Sequence, residues 1–130
     1  MSDRFTTFDV REVVKESDII KSFYLEPRTP LARKFVPGEY LIFEHRPEIG
    51  EPVRREYSIS GTRGDEIRVT IKRELAPEQG LQDGVMSTHF HDATMVGDTV
   101  KAAGPMGAFT LDRDADRPVV LLSGGVGLTP

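Results

Sequence analysis

Cysteine is absent from all 130 residues, which excludes disulfides, thiolate nucleophiles, cysteine-ligated iron–sulfur clusters and zinc sites of the cysteine type. Long apolar runs are lacking too. The longest, such as Val119-Val120-Leu121-Leu122, fall far short of the ~18 residues needed to cross a bilayer. Met1-Ser2-Asp3-Arg4 leads into no signal-like apolar stretch. The expectation is a protein of the cytoplasm, with no membrane association. There is no serine–histidine–acid or paired-carboxylate arrangement of distinctive spacing, so hydrolase chemistry has no positive support. His89 and His91 are two apart where a helical metal pair would be four apart, so no metal site is expected.

What is present suits one folded domain. A mass of 14.5 kDa allows a real core but not two complete domains. Hydrophobic residues at 38% and charged residues at 29% exclude a disordered or collagen-like chain. The net charge is −4, yet residues 54–73 hold six basic side chains (Arg54, Arg55, Arg63, Arg68, Lys72 and Arg73) against three acidic ones. An acidic protein with one basic stretch suits a small anionic ligand better than a nucleic acid, which needs a broader positive surface. A solvated pair of strands would show the same charges.

Six short runs rich in β-branched and aromatic residues, punctuated by turn residues, predict an antiparallel sheet or barrel. They are Phe5–Val14, Ile20–Leu25, Tyr40–His45, Arg54–Ser60, Glu66–Lys72 and Asp98–Ala103. Ile67, Val69 and Ile71 alternate with Arg68, Thr70 and Lys72, so one face of that strand is core. Gly61-Thr62-Arg63-Gly64-Asp65 predicts a hairpin loop of about five residues. A loop over Glu74–Asp83, with Pro77 and Gly80, leads into a short helix over Met86–Asp92. From Arg117 the texture changes. The continuous run Pro118–Leu122 predicts a parallel strand buried on both faces. Behind it, Ser123-Gly124-Gly125-Val126-Gly127-Leu128-Thr129-Pro130 is a glycine-rich turn of the kind that lets a nucleotide phosphate approach the backbone.

Three features point to a bound dinucleotide. Arg55-Glu56-Tyr57-Ser58 offers a cation for a pyrophosphate, an aromatic wall for a flavin ring and a hydroxyl for its reactive nitrogen; a plain strand with a half-buried tyrosine reads the same way. Gly84-Val85-Met86-Ser87 opens the helix, where free N–H groups and the helix dipole favour an anion, although simple capping also accounts for it. Phe35-Val36-Pro37-Gly38-Glu39-Tyr40 is a turn whose tyrosine could lie against a planar ligand, or merely a Pro-Gly turn and a core ring.

In order, these features resemble the flavin reductase module of the ferredoxin–NADP reductase superfamily, most closely the reductase part of flavohaemoglobins. The landmarks are Glu16 through Pro27, Pro37-Gly38-Glu39-Tyr40, Arg55-Glu56-Tyr57-Ser58, Val69-Thr70-Ile71-Lys72-Arg73-Glu74, Gly84-Val85-Met86-Ser87, Val96-Gly97-Asp98 and Ser123 through Pro130. The resemblance implies an all-β domain, a six-stranded antiparallel Greek-key barrel with one short helix, binding FAD over residues 1–112. Residues 113–130 would be the linker, first strand and glycine loop of an incomplete NAD(P)-binding α/β domain.

The resemblance also assigns roles. Arg55 would pair with the FAD phosphates, Tyr57 would pack on the flavin and ribityl region, and Ser58 would sit near flavin N5, so Tyr57 and Ser58 are the candidate catalytic residues. Tyr40 would be a further contact. Glu56 stands where flavohaemoglobins usually have glutamine and alternates away from Tyr57, so little effect on binding is expected. The backbone at Ile71, Lys72, Arg73 and Glu74 would line the cofactor, and Gly84, Val85, Met86 and Ser87 would hold the pyrophosphate. Gly124, Gly125, Val126, Gly127 and Thr129 match the nicotinamide-nucleotide loop. The implied function is hydride transfer from NAD(P)H to flavin N5, then electron transfer to a partner protein or domain. The 130-residue chain is expected to be incomplete for turnover. A non-enzymatic flavin-barrel interaction module and an FMN or free-flavin reductase are the alternatives.

Overall fold

The computed structural model describes residues 4–31, 33–76 and 84–130. Six strands dominate it: β1 (Thr6–Lys15), β2 (Ile20–Pro27), β3 (Tyr40–His45), β4 (Val53–Arg63), β5 (Glu66–Lys72) and β6 (Thr99–Met106). They close into a barrel in the order β1-β2-β5-β4-β3-β6, with every pairing antiparallel. Because β6 pairs with both β1 and β3, no strand is left with an open edge. The six runs expected from the sequence are these six strands, with ends shifted by up to three residues.

Alternation decides which side chains fill the barrel. Ile67, Val69 and Ile71 of β5 are at most 3% exposed, as are Phe8 and Val10 of β1, Phe23 and Leu25 of β2, and Leu41 and Phe43 of β3. On the outer face, hydroxyls tie three neighbouring strands together, Ser22 to Thr70 and Thr70 to Ser60, both at 2.8 Å. The register slips at Val10/Glu12, Ile59/Gly61 and Tyr40/Ile42; such irregularities bend strands and help a small sheet close.

The β4–β5 connection differs from the expected five-residue loop. Arg63 pairs with Glu66, so only Gly64 and Asp65 turn the chain. Gly64 takes φ +60°, matching the glycine at the first central position of a two-residue hairpin turn. The slip at Ile59/Gly61 lets β4 continue through residues that read as loop.

The helix begins one residue earlier than expected. It comprises α1 (Val85–Thr88) and a widened π-helical turn, His89–Ala93. This segment plugs the barrel through Phe90, 1% exposed, whose ring meets Phe23 at 5.0 Å, Phe43 at 5.3 Å and Tyr57 at 6.0 Å. The two histidines turn to different partners. His91 is buried and its Nε2–H donates to the Ile71 carbonyl at 2.7 Å; His89 stacks on His45 of β3 at 3.7 Å. The preceding loop expected over Glu74–Asp83 falls at residues 77–83 outside the described residues.

The strand expected at Pro118–Leu122 does not form. Val119, Val120, Leu121 and Leu122 are 51–91% exposed, and regular structure resumes only in a 3-10 turn, Gly125–Leu128. A strand buried on both faces needs flanking strands and covering helices, and among the described residues every strand is already used in closing the barrel. No helix among the described residues is long and apolar enough to cross a membrane.

Two predictions follow from this packing. Phe90→Ala removes a ring from the centre of the aromatic cluster and should lower stability by about 3–5 kcal/mol. Ile49→Ala, at a side chain 92% exposed, should stay within about 0.5 kcal/mol of wild type in the same urea titration.

The histidine stack should make stability depend on pH. Burial, reinforced by the neighbouring His45 ring and opposed by Asp98, lowers the pKa of His89 from its ordinary 6.5. The unfolded chain therefore takes up the proton first, and stability should fall as pH drops below about 6.5, levelling off beneath the lowered folded value. His89→Phe keeps a stacking ring and should remove this part of the slope in urea midpoints measured between pH 5 and 8.

Candidate cofactor site

The sequence motifs converge around β4. Tyr57 lies opposite Leu41, and Arg55 opposite Phe43, both core residues of β3. Arg55 and Tyr57 thus share the inward side of the strand, and Tyr57 sets its ring edge-on to Phe43 at 5.9 Å. Burial pushes the Tyr57 phenol up to about 12; the Arg55 charge works against this and the Glu74 carboxylate adds to it. The side chain is therefore a neutral hydroxyl at physiological pH.

Glu74 joins β4 to the helix. Its carbonyl accepts the Gly84 N–H at 2.7 Å, and its N–H donates to Ser87 Oγ at 2.9 Å. A Cβ on Gly84 would come within 2.9 Å of the Glu74 Cβ, so glycine is what allows the approach. Arg55, Tyr57, Glu74 and Gly84–Ser87 therefore form one cluster, held by Phe90 beneath it. Ser87 has turned inward: 2% exposed, its hydroxyl serves Glu74 and the Gly84 carbonyl. Among the described residues no side chain caps α1, so none of them takes the first-turn N–H groups that an outside acceptor could use.

Charges in the basic stretch are mostly spent within the fold. Arg54 pairs with Glu44, Arg63 with Glu12 and Glu66, and Arg73 with Asp92. Arg68 bonds Ser60 through its hydroxyl and its carbonyl. Arg55 is different. Its guanidinium donates to the adjacent Arg54 carbonyl at 2.7 Å and meets no carboxylate in an ion pair among the described residues. Lys72, the exposed last residue of β5, likewise has no ion pair among them.

Tyr40 and Ser58 face each other across β3 and β4 as a registered pair, with Glu56 next along that face opposite Ile42. This is the side opposite Arg55 and Tyr57. Both Tyr40 and Ser58 are half-buried, and neither hydroxyl has a hydrogen-bond partner among the described residues. Ile71 is buried, and the strand ends at Lys72, with Arg73 and Glu74 leading toward the helix.

The glycine-rich tail stands apart from this cluster. Gly125 adopts φ +56°, the Gly127 N–H donates to the Gly124 carbonyl at 2.9 Å, and the Thr129 N–H donates to the Val126 carbonyl at 3.0 Å. The turn comes beside β5, and a Cβ at Gly124, Gly125 or Gly127 would meet open space. No hydrogen bond joins it to Arg55–Ser58 or Gly84–Ser87 among the described residues.

Two features escape a reading of the sequence alone. Thr88 Oγ1 is the one buried side-chain polar atom without a partner among the described residues, directly after Ser87. Glu39, inside Pro37-Gly38-Glu39-Tyr40, is 4% exposed yet charged, paired with Arg33 at 2.6 Å. Its position in a turn motif was the available signal, but burial is a tertiary property.

These parts suit a dinucleotide with a planar ring: an unpaired guanidinium and free helix N–H groups for phosphates, and two tyrosines and free hydroxyls for the ring. A cavity of about 410 Å³, bordered by Phe43, His45, His89 and Phe90, reaches the cluster at Met86, and another of about 810 Å³ is bordered by Arg28, Phe35 and Asp65.

Comparison with known proteins agrees with this chemistry. The flavohemoproteins of Bacillus thuringiensis subsp. konkukian and Rhizobium meliloti are 41% and 44% identical over 130 and 128 residues, covering 97% and 95% of this chain. The alignments take in 32% and 31% of those relatives, so the chain spans about a third of their length. The flavohem-like FAD/NAD binding domain of the nitric oxide dioxygenase from Vibrio cholerae O1 biovar El Tor superposes with a TM-score of 0.83 at 38% identity, covering 95% of this chain and 52% of that one. The model of the oxidoreductase FAD-binding domain matches residues 7–111, and it is to this family that the chain belongs.

Proposed function

We propose that this chain serves as the flavin-binding part of an NAD(P)H-dependent electron-transfer oxidoreductase. The observation that carries the reading is Arg55, an exposed cation on the Tyr57 side of β4 that makes no ion pair among the described residues, clustered with Tyr57 and Glu74 near α1. In a fold where the other arginines of the stretch have partners, one left without an ion pair beside free N–H groups is a site for an anion.

FAD, when bound, supplies the redox chemistry: it accepts a hydride from a nicotinamide nucleotide at N5 and releases electrons singly to an acceptor. The protein binds and orients. Arg55 and the N–H groups of Val85 and Met86 hold the pyrophosphate, with the backbone from Ile71 to Glu74 alongside. Tyr57 presents a hydroxyl that stays protonated and a ring fixed by Phe43 and Phe90. Ser58 offers a donor near N5, and Tyr40 forms a wall beside it. Glu56 alternates away from Tyr57 and has little part in binding. Gly124, Gly125, Val126, Gly127 and Thr129 belong to the site for the nicotinamide nucleotide, whose phosphates need close backbone approach. The acceptor is a partner protein or domain. The net charge of −4 argues against nucleic acid, and the absence of cysteine is compatible with the cytoplasm.

Purified chain mixed with FAD and desalted should retain a flavin absorbance with quenched fluorescence. If FAD runs through unbound while the protein is folded, the reading fails. Arg55→Ala should weaken FAD by about 1.5–3 kcal/mol, the range for a charge-assisted contact, and leave riboflavin nearly unchanged. Equal losses for the two ligands would remove Arg55 from the phosphates. Equal affinity for FMN and FAD would favour a free-flavin reductase.

A further inference from the structure

Glu39 is the one carboxylate buried among the described residues. It accepts two hydrogen bonds from Arg33, at 2.9 Å on Oε1 and 2.6 Å on Oε2, and one from the Val36 N–H at 2.6 Å. Arg33, half of whose side chain is in solvent, donates onward to the Pro105 carbonyl at 3.3 Å. The carboxylate thus ties the loop before β3 to the end of β6.

Both ends of that tie border the Tyr40–Ser58 face. Glu39 precedes Tyr40, and its backbone carbonyl accepts the N–H of Ile59, the residue after Ser58, at 3.0 Å. Two residues past Pro105, Gly107 lies under the Tyr40 ring: a Cβ there would meet Tyr40 Cε2 and Cδ2 at 2.8 and 2.9 Å. Behind the ring, Gly104 abuts the Tyr40 carbonyl, and Gly38 abuts the backbone of Phe109 so closely that any side chain is excluded. The ring therefore rests in a slot whose floor belongs to the chain after β6.

We infer that Glu39 is a positioning residue for flavin binding: through Arg33 and Pro105 it holds the Gly107 floor against Tyr40 and so sets the ring's place beside Ser58. A carboxylate so fully removed from water needs a function beyond closing a turn, since a turn asks only for proline and glycine, and Pro37-Gly38 already provide them. Arg33 reaches carboxylate and carbonyl together because its fork offers several donors in fixed geometry. The inference rests on Tyr40 belonging to the flavin site.

The test uses two readouts, one of which needs no flavin. An aromatic ring over Gly107 shifts its Hα resonances, with Tyr40→Leu defining the ring-free position. In Glu39→Gln, nearly isosteric but uncharged, the Gly107 shift should move toward that of Tyr40→Leu, while the dispersion of the remaining spectrum shows a folded barrel. Arg33→Lys, altered at an exposed position, should move it the same way by less. With FAD, Glu39→Gln should weaken binding about tenfold and alter the visible circular dichroism of the bound flavin. The same substitution on a Tyr40→Leu background should cost almost nothing, because coupled neighbours are non-additive.

A Gly107 shift unchanged by Glu39→Gln overturns the positioning role even if FAD binds. Additive losses in the two backgrounds overturn its connection to flavin. If wild-type chain binds no FAD while the shift responds, the flavin reading falls and the positioning of Tyr40 stands.

Discussion

Phe90 enters the barrel from outside the sheet, and the arrangement of the site depends on it. Its ring touches Phe23 of β2, Phe43 of β3 and Tyr57 of β4, so one side chain fixes the short helix against three strands. Such edge-to-face contacts each contribute about 0.5–1.5 kcal/mol beyond burial, but the geometric consequence matters more. α1 is a single turn of four residues, too short to be stable alone. Its N–H groups point in a defined direction only because Phe90, two residues beyond it, is locked in the core. The same ring packs edge-on against Tyr57, so the start of α1 and Tyr57 share one anchor.

The strands were legible in the sequence because a barrel imposes period-two burial on each of them, and β5 shows it plainly at Ile67, Val69 and Ile71. The resemblance carried the order of the motifs, and the family match agrees with it. Three things were not legible. The length of the β4–β5 turn depended on a register slip at Ile59/Gly61, which no local propensity encodes. The widened turn at His89–Ala93 places His91 under Ile71 and His89 on His45, whereas a regular helix pattern says only that the two diverge. The apolar run Val119–Leu122 reads as a buried strand, but a strand's burial is a property of its neighbours, and here nothing among the described residues pairs with it.

Which cations of the basic stretch keep a free charge was not legible in the sequence. Six cations in residues 54–73 suggested a local positive field suited to a small anion. In the fold that field is largely internal: Arg63 alone spans Glu12, Glu66 and the face of Tyr24 at 3.8 Å, and Arg54 divides itself between Glu44 and the ring of Phe5 at 4.8 Å. An exposed pair such as Arg63–Glu12 contributes little to stability, but all of these pairs cancel charge. Among the described residues that leaves Arg55, Lys72 and the Ser60-bound Arg68 as the cations of the stretch without an ion pair.

Glu39 shows the opposite economy. An exposed ion pair would be nearly neutral in energy, yet this one puts a carboxylate under the surface, where losing Arg33 would leave an uncompensated charge. The pair with Arg33 holds Glu39 below its ordinary 4.5, against the opposing effect of burial, and the Val36 N–H adds to the lowering. Its stabilising contribution is therefore present above the unfolded value and lost only as pH falls through the lowered folded one. A tie of that kind does not loosen near neutral pH, unlike the His45–His89 stack. The barrel thus carries two contacts of different character: a pH-sensitive one between the short helical segment and β3, and a pH-insensitive one beside Tyr40. Ring placement is then held constant under conditions in which the helix packing is not.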